Sequence, residues 1–90
     1  MKNSDILRLL DKTELTLQVS REPSRKWSAH LTYCPACRVF SGRGASPSAA
    51  LAEAFFLWTG AHRDEVEKLA KRELVILRGL VALRGGRSPR

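Results

Sequence analysis

Ninety residues with a 43% hydrophobic share fit one domain with a small core. That size leaves little room for the deep pocket of a cofactor enzyme, and the apolar content is too high for disorder. Sixteen Lys and Arg against nine Asp and Glu give a formal net charge of +7, which favours nucleic acid, acidic protein faces or anionic lipid over neutral partners.

Plain solubility is the competing account of such charge. No run approaches the roughly 20 apolar residues of a membrane span. The start, Met1-Lys2-Asn3-Ser4-Asp5, does not read as a signal peptide. The expectation is a cytoplasmic protein with no membrane partner and with Cys34 and Cys37 reduced.

In chain order, Ser4-Asp5 caps a short helix whose apolar content is Ile6, Leu7, Leu9 and Leu10, and Asp11-Lys12-Thr13 ends it. Residues 14–20 alternate, with Leu15, Leu17 and Val19 on one face and Thr16, Gln18 and Ser20 on the other, which predicts a half-buried strand. Glu22-Pro23-Ser24-Arg25-Lys26 is a polar turn. Trp27, Ala29, Leu31 and Tyr33 alternate again and complete a hairpin. Cys34-Pro35-Ala36-Cys37 is a tight connection, because Pro35 cannot donate to a ladder. Arg38-Val39-Phe40-Ser41 is a short third strand, ended and turned by Gly42-Arg43-Gly44.

Ser46-Pro47 is the clearest boundary: a serine cap with proline at the first helical position. Leu51, Ala54, Phe55 and Trp58 follow at helical spacing and pack on the sheet. After Thr59-Gly60 the stripe resumes through Val66, Leu69, Ala70, Leu74, Leu77, Leu80 and Val81. One helix from Pro47 to Leu83 would be roughly 55 Å long, more than such a domain needs. Two helical segments broken at Gly60 are therefore predicted. The alternative is a homodimer through an extended C-terminal helix.

Candidate chemistry is sparse. The Cys34–Cys37 pair supplies half a zinc set, with His30 and His62 as remote completions, or a redox pair in an unusual strand-to-strand position. Two small residues shaping a turn is the preferred account, and no metal or cofactor is expected. Gly42-Arg43-Gly44-Ala45-Ser46-Pro47 invites a phosphate-loop reading but lacks the full spacing. His62, beside Arg63 and Asp64, reads as solvated, and His30 falls in the polar register of its strand. Neither has a nucleophile and carboxylate at plausible positions, so no enzyme is predicted. The aromatics read as core, with Trp27 the one candidate for base stacking and Phe56 off the main stripe.

The cations carry the functional expectation. Arg25, Lys26, Arg38 and Arg43 are expected at one end or face of the sheet. Lys68, Lys71, Arg72 and Arg78 populate the C-terminal third. Together these eight are the expected partner-binding residues, able to neutralise phosphates or match an acidic surface.

The order helix, three strands, helix, with Gly42-Arg43-Gly44-Ala45-Ser46 at the last junction, resembles the double-stranded RNA-binding domain. That family holds phosphates with lysines at the start of its last helix. Pro47, Ser48, Ala49 and Ala50 stand there in this chain, so the resemblance implies the topology without that contact. The tryptophan-bearing strand pair, Gly44-Ala45-Ser46-Pro47, Ala50, Ala54 and Leu57-Trp58, with Asp64, Val66 and Ala70 beyond, is also similar to a group of small phage-encoded proteins that includes type I-F anti-CRISPR proteins. The likeness covers roughly residues 27–70. It implies a non-enzymatic protein that occludes a host nucleoprotein complex. Many of that group carry acidic surfaces; the basic charge here implies engagement of acidic protein faces or of the nucleic acid itself.

The reading is thus an α+β fold: a short N-terminal helix, a three-stranded antiparallel sheet and a long or broken C-terminal helix packed on it. It forms one domain over residues 1–84 with a flexible basic tail over 85–90. The expected function is a phage or mobile-element inhibitor of a host protein or nucleoprotein complex such as a CRISPR-Cas effector. Direct DNA or RNA binding is the alternative, and a zinc or redox role for Cys34 and Cys37 the third.

Overall fold

A computed structural model describes residues 3–33 and 38–83. Cys34, Cys37 and the basic tail lie outside these residues. The chain opens with α1 (Asn3–Thr13). Leu9, Leu10 and Thr13 form its buried face, and Ile6 packs against the same cluster. The Thr13 hydroxyl donates to the carbonyls of Leu9 (2.8 Å) and Leu10 (3.3 Å), closing the last turn. Glu14, at φ 58°, then turns the chain into the sheet.

Strands β1 (Leu15–Arg21), β2 (Trp27–Tyr33) and β3 (Arg38–Gly44) form an antiparallel sheet in the order β1-β2-β3. The β1–β2 turn is closed by Glu22 N–H to Lys26 O (2.7 Å) and Arg25 N–H to Glu22 O (3.0 Å), with Arg25 at φ 68°. Register places Leu17 opposite Leu31 and Leu31 opposite Phe40, so these odd and even sets share one face. That face carries Leu15, Leu31, Tyr33 and Phe40, all buried. The opposite face carries Thr16, Gln18, His30, Thr32, Ser41 and Arg43, none of them buried, and Ser28, which is. The helices pack on the apolar face alone.

The third strand is longer than its sequence suggests. Gly42 lies inside β3 and Gly44 is its last residue, so the strand runs through the segment expected to turn. Their role is close approach: a Cβ on Gly42 would stand 2.3 Å from the Ala50 carbonyl and 2.5 Å from the Ala54 nitrogen. One on Gly44 would stand 2.7 Å from the Ala49 Cβ. Two glycines on the strand and small alanines on the helix bring α2 (Pro47–Ala61) down onto β3 and β2. Ser46 caps α2 by accepting from the Ala49 N–H at 3.1 Å, with Pro47 beginning the helix, as the sequence predicts.

The break comes later than expected. Gly60 stays inside α2; the chain leaves helical geometry at His62 (φ −130°, ψ 56°). A short α3 (Arg63–Glu67) follows, then a second break before α4 (Lys71–Val81). Helix α4 returns across α2 and α1, burying Ile76, Leu77 and Leu80. The apolar stripe thus finds part of its cover within the same chain: Leu77 and Leu80 are buried, while Val66, Leu69, Leu74 and Val81 stay half-buried.

Candidate functional site

The eight predicted cations do not share one surface. Arg25 and Lys26 occupy the β1–β2 turn, and Arg43, opposite Ser28, reaches back to the same end of the sheet. Its guanidinium grips Glu22 through Nε (3.0 Å) and Nη2 (2.6 Å), a bidentate pair. Ser28 also donates its hydroxyl to that carboxylate. Arg38 stands at the opposite end, across from Tyr33, so the expected four-residue cluster is corrected to three. Strand direction explains it: Arg38 and Arg43 begin and nearly end the same strand. The Arg38 guanidinium lies 5.4 Å from the Phe40 ring centroid.

The Ser28 hydroxyl, then the Arg43 guanidinium, hold the Glu22 carboxyl below its usual pKa. A folded pKa below the unfolded one means stabilisation that is complete above the ordinary Glu range and fades as pH falls through the folded value. Thermal melts from pH 7 down to pH 3 are expected to show Glu22→Gln losing less stability on acidification than the parent chain. Equal acid sensitivity would contradict the pairing.

Arg43 is therefore committed, which weakens the phosphate-loop reading of Gly42–Pro47. The glycines there serve helix packing instead.

The C-terminal cations gain company that the sequence did not reveal. Lys12 of α1 and Lys68 line a cleft of about 290 Å³ with Glu14, Tyr33 and Glu65. Arg8, one turn earlier on α1, lines a neighbouring groove of about 650 Å³ with Lys71, Arg72 and Asp5. Five cations thus border, against three acids, a seam that α1 forms first with the α3–α4 linker and then with α4. Arg78 lies elsewhere, in a groove with Thr59, Val66 and Leu74. Arg8 and Lys12 are four apart on one helix, a spacing that fixes their common side; the α3–α4 linker brings Lys68 to Lys12, and α4 brings Lys71 and Arg72 to Arg8.

His62 is not solvated. Its ring packs 4.5 Å from Tyr33, 5.6 Å from Phe40 and 6.0 Å from Trp58, centroid to centroid. Its Nδ1 lies 3.8 Å from the Glu65 carboxylate, and its Nε2 is buried without a hydrogen-bond partner, as is Trp58 Nε1. The non-helical geometry at His62 tips the ring into this aromatic cluster, a consequence of the break that spacing alone does not show. Burial, with the charges of Glu65 and Glu14 behind it, pushes the Tyr33 phenol above its usual pKa. His30 keeps to the polar face as predicted, 2.7 Å from the Ser41 hydroxyl.

Among the described residues no three of His, Cys, Asp and Glu gather as a metal set, and the Cys34–Cys37 reading falls outside them. The polar sheet face carries no described Phe, Tyr or Trp, and Trp27 lies half-buried on the helix side. The one described ring on that face is the His30 imidazole, hydrogen-bonded with Ser41, which is too little for a base-stacking platform of several rings. No helix of the described residues is long and apolar enough to cross a membrane. Comparison with family models, with curated proteins and with solved structures finds no match for this chain.

Proposed function

We propose that this chain is a non-enzymatic phage or mobile-element protein that docks on a host protein or nucleoprotein complex, of the kind a CRISPR-Cas effector represents, and blocks it. The observation that supports this reading is the gathering of Arg8, Lys12, Lys68, Lys71 and Arg72 along the α1–α4 seam. These side chains are drawn from two helices and a linker, and they flank concave surface. A concave cationic seam suits a shaped anionic partner better than a uniformly charged exterior does.

Capture from bacterial lysate, with and without nuclease, tests the proposal. A protein partner retained after nuclease treatment, and lost by at least about tenfold in affinity on Lys68→Glu with Lys71→Glu and Arg72→Glu, is the expected result. Direct DNA or RNA binding is the second reading, favoured by the same cations. In that case capture disappears with nuclease, and affinity falls steeply as salt rises. Capture unchanged by the three reversals would sink both.

A further inference from the structure

A second concave surface lies on the other side of α1. Leu17 and Val19 of β1, Ile6, Leu7 and Leu10 of α1, and Leu51 of α2 line an open apolar groove of about 400 Å³. It exists because α2 lies over β3 and β2, leaving the inner face of β1 to α1. That cover is partial: Leu15 is buried, but Val19 is 39% exposed and Leu7 66% exposed. Apolar surface contributed by three elements around one groove marks a docking site more than scattered single residues do. Val39 and Val75, also exposed, stand on other surfaces.

Charge at one end of the groove indicates its occupant. Arg21 follows Val19 by two positions and so shares its face of β1, and Arg25 and Lys26 come next in the turn. All three are exposed. Glu22, the acid among them, is held by Arg43 and Ser28. We infer that the groove binds a segment of another protein in which apolar anchor side chains adjoin acidic ones. The anchors enter between α1, β1 and α2, and the carboxylates meet Arg21, Arg25 and Lys26. A second copy of this chain is the poorer occupant, because each copy carries +7 and brings these same cations to the interface. The inference uses none of the cations of the α1–α4 seam, so it stands or falls apart from the function proposed above.

A displayed random library of peptides about twelve residues long, selected on the full chain, tests it. Recovered peptides are expected to combine Leu, Ile, Phe or Met with Asp or Glu. Their affinity, read by fluorescence anisotropy, is expected to fall at least about tenfold on Leu7→Glu or Val19→Glu and to stay level on Val75→Glu. Circular dichroism confirms that each variant is folded; Leu7 and Val75 are exposed enough to be changed without touching the core. Arg21→Glu with Lys26→Glu is expected to turn the selection toward basic peptides. Peptides without acidic residues, binding indifferent to Leu7→Glu, or no recovery at all would overturn the inference. So would a dimer in sedimentation that Leu7→Glu dissolves, since the groove would then belong to a second copy.

Discussion

Gly42→Ala is expected to destabilise the fold by about 3 kcal/mol, at or beyond the upper end of the usual range for overpacking. The new Cβ would meet backbone on both sides, the Ala50 carbonyl at 2.3 Å and the Ala54 nitrogen at 2.5 Å. Neither can rotate away as a flexible side chain would. Relief requires α2 to lift from β3, and Ala50, Ala54, Phe55 and Trp58 are all fully buried beneath it. Gly60→Ala is the matched control: nothing lies within 4 Å of its Cβ position, and the residue is inside a helix. That change is expected to stabilise by roughly 0.5–1 kcal/mol. Urea titration of the two variants beside the parent chain reads both signs. A Gly42→Ala variant as stable as the parent would contradict the close packing of α2 on β3.

Trp58→Ala is expected to cost about 3–5 kcal/mol, enough to unfold most of a domain this small. Trp58 is fully buried and meets Tyr33 edge-on at 6.4 Å and His62 nearly stacked at 6.0 Å. Its removal opens a cavity where sheet, α2 and the His62 break converge. Trp58→Phe is expected to lose less than half as much. It keeps a ring in place and eliminates an indole N–H that is buried without an acceptor. If both substitutions proved equally damaging, the indole N–H would have a partner that matters.

Local patterns foretold the framework because they are dictated locally. Period-two alternation gives β1 and β2, and Ser46-Pro47 gives the start of α2 to the residue. Three features depended on packing across the chain. Gly42-Arg43-Gly44 looks like a turn in isolation; only a helix lying on the strand makes glycine compatible with, and necessary to, an extended segment. Gly60 looks like a hinge, yet an exposed helical glycine costs only ~1 kcal/mol and is carried inside α2; the chain leaves the helix two residues later, where the His62 ring enters an aromatic cluster. The cationic seam was half legible. Lys68, Lys71 and Arg72 stand close together in the sequence, but Arg8 and Lys12 lie some sixty residues earlier and join them only through the fold of the α3–α4 linker and α4. Arg38 shows the converse: nearness in sequence to Arg43 becomes distance along a strand.

The one-sided stacking of helices on the sheet divides the chain's freedom to vary. Thr16, Gln18 and Thr32 answer to little beyond strand propensity and water, so drift through polar or β-branched alternatives is cheap there. Gly42, Gly44, Ala50 and Ala54 form a contact in which even one added carbon is felt. A lineage descended from this sequence can therefore re-colour one side of its sheet while the other stays pinned.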